Sequence, residues 1–215
     1  SMMSVQSSLV MYPIYAFGSE DQKEKRVSYG KVFFENRKRK GFTEYEAVQI
    51  MRERNYFGSM MVNEGDADAM ITGVTRGYRS CIKPALSSVG MQKDVKVISG
   101  MYILNTKRGP LFLADTTINL NPTAEELAEI TVNVAKTIRK FQVNPRIALL
   151  SYSNFGSSPG ADADKMAEAV KILHENHPNI IVDGEVQANF ALDSELMNDK
   201  FSFSTLANKQ VNTLI

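Results

Sequence analysis

The chain has 215 residues, 43% hydrophobic and 23% charged, with a formal net charge of +1. It is long enough for one large or two small domains with a buried core. Nothing in its balance of charge invites nucleic acid or an anionic membrane, and no apolar run approaches the roughly 20 residues of a spanning helix. The single cysteine, Cys81, has no internal partner for a disulfide, and no signal peptide follows Ser1-Met2, which reads as a tag scar before a start Met. A cytoplasmic protein is expected.

In chain order, residues 1–18 are expected to form a strand or an arm. Ser19 and Gln22 offer a capping box for a helix that stops at Gly41. Thr43 and Glu46 repeat the device and start a helix ending near Asn55. "SMMV" and "AMITGV" read as short strands around the acidic turn "NEGDAD". A helix follows over about Ser80–Val89, with Pro84 either in its first turn or kinking it. "VKVISGMYIL" and "PLFLADT" read as two strands of a hairpin closed by "NTKRG".

"PTAEELAEITVNVAKTIRKF" is the clearest helix. Thr123 and Glu126 make a third box, and Leu127, Ile130, Val134 and Ile138 recur at helical spacing. "RIALL" is a continuous apolar run of the buried parallel type. A long loop precedes a helix over about Asp162–Asn176, then the strand "NIIVD", a helix over about Val186–Met197 and a final strand in "VNTLI". Strands alternating with helices predict an α/β fold with a mixed, largely parallel sheet flanked by helices.

The loop "SYSNFGSSPG" is longer and richer in small donors than a strand-to-helix connection requires. Ligands of open α/β sheets bind outside the carboxyl ends of the strands. Ser151, Ser153, Asn154, Ser157 and Ser158, with backbone N–H groups freed by Gly156 and Gly160, therefore suit a phosphate or sulfate; a plain surface loop has the same composition. "NRKRKG" (Arg37 to Lys40) and "TRGYRSCIKPAL" (Arg76, Arg79, Lys83) are either solvated ends or sources of positive charge in a cleft. Asp183 and Glu185 suit acid–base or metal chemistry, but the expected role of Asp183 is to cap the next helix and bond the loop opposite. His174 and His177 lack a third ligand nearby. The methionines read as core filler. No Gly-x-Gly-x-x-Gly opens a helix after a strand, which speaks against a nicotinamide site.

Six stretches in series, "RKRKGFTEYEA", "YFGSMMVNEGDADAMITG", "IKPAL", "FLADTTINLNPTAEELAEI", "ALLSYSNFGSS" and "VDGEVQANFAL", resemble the phosphate acetyl/butyryltransferases over roughly Ser19 to Ile215. "TRGYRSCIKPAL", "ADTTIN" and "SYSNFGS" look most like the phosphotransacetylase-like C-terminal domain of large bacterial NADP-dependent malic enzymes. The resemblance implies an isocitrate dehydrogenase-like two-domain architecture: residues 19–92 as part of domain I and 93–215 as domain II, ending before the family's C-terminal segment. It implies a cleft between the domains, homodimers or larger homo-oligomers packed through the second domain, and exchange of acyl-CoA and phosphate for acyl phosphate and CoA.

It also places a family arginine on Arg37, replaces another by Lys83, and replaces a cysteine near the CoA site by Thr116. Arg37, Lys83 and Thr116 join the Ser151–Ser158 loop as the implied CoA and phosphate site, with Arg37 and Lys83 on one wall and the loop on the other. The family's catalytic serine, arginine and aspartate fall beyond residue 215, so no catalytic residue is expected here. The expected role is that of a regulatory fragment, binding acetyl-CoA or a phosphate-type ligand beside an N-terminal malic domain that alone carries NADP and a divalent metal. A fragment of an active phosphate acyltransferase is the alternative.

Overall fold

The computed structural model describes residues 20–93 and 95–215, and the chain divides into two compact units, Ser1–Lys93 and Asp94–Ile215. The expected arm over residues 1–18 and the Ser19 cap lie outside the described residues.

The regular elements in the described part of the first unit are all helical. Helix α1 spans Glu20–Arg37 and continues as a 3₁₀ turn over Lys38–Lys40. Gly41 ends it with φ +88, the left-handed conformation that glycine adopts without a Cβ penalty. Helix α2 (Glu44–Ile50) carries the predicted box: Thr43 Oγ1 accepts from the Glu46 N–H, and the Glu46 carboxylate accepts from the Thr43 N–H. The Thr43 N–H, and then the Thr43 hydroxyl, which donates to the same carboxylate at 2.8 Å, hold the Glu46 carboxyl below its ordinary range.

Helix α2 stops well before Asn55. Glu53 accepts from the N–H groups of Asn55 and Tyr56 at 3.0 and 3.1 Å and starts a separate helix, α3, over Arg54–Asn63. The expected strand "SMMV" is the second half of α3. Tyr56, Ser59 and Met60, at helical spacing, are its buried face. The expected strand "AMITGV" is irregular backbone as well. Its Thr72 hydroxyl donates to the buried Asn55 Oδ1 at 2.8 Å, so side chains rather than a ladder fix it.

Helix α4 spans Tyr78–Ser88 with Pro84 inside it. Proline brings no N–H to the carbonyl four residues earlier. That carbonyl, on Ser80, accepts from Asn55 Nδ2 at 3.1 Å instead, so the helix tolerates its proline. Tyr29, Phe33, Ala47, Met51, Tyr56 and Met60 form the unit's core, with Phe33 edge-on to Phe42 and Tyr56.

One polar contact gives this unit a pH signature. The Tyr29 hydroxyl donates to Asp66, which also receives Lys25 Nζ at 2.9 Å. The Tyr29 bond, then that of Lys25, holds the Asp66 carboxyl below its usual range, while burial and Asp66 push the Tyr29 hydroxyl up. A depressed carboxyl adds stability above its unfolded pKa of about 4 and loses it as pH falls through the lower folded value. Urea unfolding between pH 5 and 2 is expected to show this acid loss in the native chain and less of it in Asp66→Asn; equal slopes would remove the contact from the account.

The second unit is built on one five-stranded sheet in the order β1-β2-β5-β3-β4. Strands β1 (Met101–Thr106) and β2 (Gly109–Ala114) form the predicted antiparallel hairpin, with Met101 opposite Ala114 and Thr106 opposite Gly109. Strands β3 (Arg146–Leu150), β4 (Ile181–Val186) and β5 (Thr213–Leu214) run parallel to β2. Between β2 and β3, β5 is tied by Phe112 N–H to the Asn212 carbonyl and by Ile215 N–H to the Ala148 carbonyl.

Helix α5 (Ala124–Lys140) carries the third box at Thr123 and Glu126, and helix α6 spans Ala161–Asn176. The predicted helix over 186–197 is two short ones, α7 (Ala188–Leu192) and α8 (Ser194–Lys200). Asp193 breaks it by accepting from the N–H groups of Glu195 and Leu196, a local bond that competes with helix continuation. Both faces of β3 are covered. Ile147 and Leu149 pack with Leu127, Ala169 and Leu173 of α5 and α6, and Ala148 packs with Met197, Leu206 and Leu214.

Candidate functional site

The carboxyl ends of β2, β3 and β4 lie at one edge of this sheet because the three strands are parallel. Three segments therefore meet the same end of the second unit: residues 115–121 after β2, the loop 151–160 after β3, and the chain leaving β4.

The loop is folded around a carboxylate of the protein itself. Glu185, buried to 3% exposure, accepts from the Ser153 hydroxyl at 3.0 Å and from the Gly156 N–H at 2.6 Å. The Ser153 oxygen in turn accepts from the Ser158 N–H at 3.1 Å. Elsewhere, Asn154 N–H donates to Ser157 Oγ, Ser153 N–H to Ser151 Oγ, and Gln187 N–H to Asn154 Oδ1. Ser157 and Ser158 stand exposed.

The loop also has an apolar anchor. Phe155 (φ 47) and Gly156 (φ 86) are both left-handed, a costly conformation for a phenylalanine. The Phe155 ring is held against Phe201 and Phe203 with centroids 4.9 and 5.1 Å away, and its N–H donates to the Glu185 carbonyl. Beside the loop is a cavity of about 450 Å³ reached by Phe155, Gly156, Ser158, Asp164 and Glu185. The cavity adjoins the start of α6, where Gly160 supplies no side-chain cap and Asp162 and Asp164 already place negative charge in the first turn.

The neighbouring segment is organised by Asp115. Its carboxylate accepts from the N–H groups of Gly100 and Asn119 at 2.8 and 2.7 Å, which leaves Thr116 exposed on the turn. Lys165 of α6 reaches across to Asn121 Oδ1 at 2.7 Å and joins this segment to the helix. Thr116 and the serine loop are thus brought to one end of the sheet.

Asp183 does not take the expected capping role. It caps no helix: α7 follows Gln187 without a side-chain cap, and Asp183 accepts instead from Ser204 Oγ and Thr205 N–H at 2.7 and 2.8 Å. Asp183 in β4 and Ser204 in the facing turn are both buried, where an unpaired donor is costly. Asp183 thus bonds a loop but caps no helix, and residues 151–160 are bonded by its neighbour Glu185.

In the first unit Arg37 and Lys83 meet on one helix. The Arg37 guanidinium donates through Nε to the Ser87 carbonyl and through Nη2 to the Leu86 carbonyl, both at 2.7 Å. These are last-turn carbonyls of α4, which a cation satisfies in both charge and hydrogen bonding. Lys83 lies one turn earlier and is exposed. Two other cations of this unit, Lys38 and Arg76, are paired with Glu35 and Glu53. Arg37→Ala is expected to cost about 2 kcal/mol of stability, the scale of hydrogen bonds from a charged donor. A urea midpoint equal to the native one would assign those two bonds no net worth.

The phosphate acetyl/butaryl transferase model matches residues 9–215. The chain belongs to that family. A phosphate acetyltransferase of Clostridium acetobutylicum is 34% identical over 198 residues, covering 89% of this chain and 59% of that protein. The NADP-dependent malic enzyme of Escherichia coli is 37% identical over 179 residues, covering 83% of this chain and 24% of the enzyme. Among solved structures, a phosphotransacetylase from Streptococcus pyogenes superposes with a TM-score of 0.77 at 36% identity, covering 87% of this chain and 57% of that one. The chain therefore spans between about a quarter and three fifths of the length of these relatives. No helix among the described residues is long and apolar enough to cross a membrane.

Proposed function

We propose that the chain binds acyl-CoA and phosphate-type ligands as part of a phosphate acyltransferase-type domain. The observation that carries this reading is the cavity at the carboxyl ends of parallel strands, lined by exposed Ser158 of the serine loop. In the first unit, exposed Lys83 is the cation this reading assigns to phosphate groups.

Within that reading the chain serves as a regulatory and oligomer-forming region of an NADP-dependent malic enzyme. Lys83 keeps a charge but lacks the two-pronged fork of an arginine, and Thr116 offers no thiol, which favours holding a ligand over turning it over. On this reading NADP and a divalent metal are assigned to the malate-oxidising domain. Catalytic phosphate acyl transfer is the second reading, favoured by the equally strong similarity to phosphate acetyltransferases.

The experiment uses the full-length protein. Malate oxidation is measured with and without acetyl-CoA, beside CoA-dependent formation of acyl phosphate. A shift in the malate curve without acyl phosphate supports regulation, and acyl phosphate formation supports the second reading. Lys83→Gln is expected to weaken CoA about tenfold by calorimetry, the worth of one charge-assisted contact, and an unchanged affinity removes Lys83 from the site.

A further inference from the structure

The opposite end of the same sheet holds a second concavity, of about 520 Å³, at the amino-terminal ends of β3 and β4. β3 is five residues long, so this site and the serine loop lie roughly 15 Å apart along the strand. Three cations line it: Arg139 from the last turn of α5, Arg146 at the start of β3, and Lys209 from the turn before β5. The carboxamides of Asn179, Asn208 and Gln210 complete the polar wall, and no carboxylate is among the lining residues.

Each cation is held by backbone. Arg139 Nη2 donates to the Asn179 carbonyl at 3.2 Å, Arg146 Nε to the Gln210 carbonyl, and Lys209 Nζ to the Thr205 carbonyl at 2.6 Å. Carbonyls orient these groups but do not cancel their charge. Among the described residues none of the three takes part in an ion pair, whereas Lys38, Arg76, Lys165, Lys171 and Lys200 all do. Three cations set around one hollow repel one another, and a multiply charged oxyanion relieves that repulsion while offering acceptors to guanidinium and amide donors together.

We infer that this hollow is a second anion site, separate from the serine loop, which takes a phosphorylated small molecule. Its volume falls in the range of pockets that hold ligands of nucleotide or sugar-phosphate size. The carboxamides suit the hydroxyls and carbonyls such a ligand carries beside its phosphate.

The test is a backbone-amide NMR titration of the chain with inorganic phosphate and with pyrophosphate, against chloride at matched ionic strength. The expected result is saturable shifts at Asn179, Asn208 and Gln210, distinct from any at residues 151–160. Affinity is expected to fall at least tenfold in Arg139→Gln/Lys209→Gln and to stay within twofold in Lys171→Gln. Lys209→Gln alone, whose carbonyl contact lies within its own turn, is expected to lose at least threefold with an unchanged melting temperature, so a folding failure of the double variant leaves the question decided. Shifts confined to residues 151–160, equal shifts with chloride, or variants that bind as tightly as the native chain each overturn the site.

Discussion

Gly184→Ala is expected to destabilise the second unit by about 3–5 kcal/mol. Gly184 sits in the interior of β4 with φ +154, and a Cβ there would stand 2.5 Å from the Leu149 carbonyl oxygen and 3.1 Å from the Leu149 Cβ. Neither atom is the end of a flexible side chain. Leu149 is fully buried, and its strand is locked between β4 and β5 at the point where the β3–β4 register shifts. Overpacking a rigid core costs about 1–3 kcal/mol, and the unfavourable backbone conformation adds about 1–3 more. Thermal or urea unfolding followed by near-ultraviolet signals reads the loss. A change below about 1 kcal/mol would mean that β3 and β4 separate readily, and that the loop they carry is not rigidly based.

The parts of this fold written in short-range chemistry were legible in the sequence. Thr43 with Glu46 and Thr123 with Glu126 name their helices because each box is closed within four residues. "RIALL" reads as a buried strand because both of its faces are apolar. The apolar run at Ser59–Val62 misleads because four residues cannot separate a strand from the end of a helix. The deciding signal lay earlier, in Glu53 as a cap and Tyr56, Ser59 and Met60 on one face.

At the candidate site the donors were legible and their recipients were not. Ser153 and Gly156 read as phosphate ligands, yet they meet Glu185, about 30 residues on; Arg37 reads as a phosphate clamp, yet it meets carbonyls about 50 residues on. A local pattern states that a donor needs an acceptor. The tertiary fold decides whether that acceptor is a ligand or the protein.

Glu185→Ala, the second large effect, separates those two cases. Removing the carboxylate leaves the fully buried Ser153 hydroxyl and the Gly156 N–H without their shared acceptor. Each unpaired donor costs about 1–3 kcal/mol, so a loss of about 3 kcal/mol is expected. Phe155 and its aromatic partners keep the loop attached while its polar interior opens. Inorganic phosphate then finds the donors that Glu185 held. The variant is expected to regain at least half of the lost stability at saturating phosphate, because an anion that binds only the folded state stabilises it by mass action. Glu185→Gln, which keeps one acceptor and loses the charge, is expected to fall between the two in both stability and response. Rescue by phosphate at residues 151–160 would show that the loop is an anion cradle carrying its own occupant, one that any phosphate-bearing ligand seated deep in the loop must displace. A variant that loses 3 kcal/mol and stays deaf to phosphate would confine Ser153 and Gly156 to architecture and leave ligand contacts to the outer hydroxyls of Ser157 and Ser158.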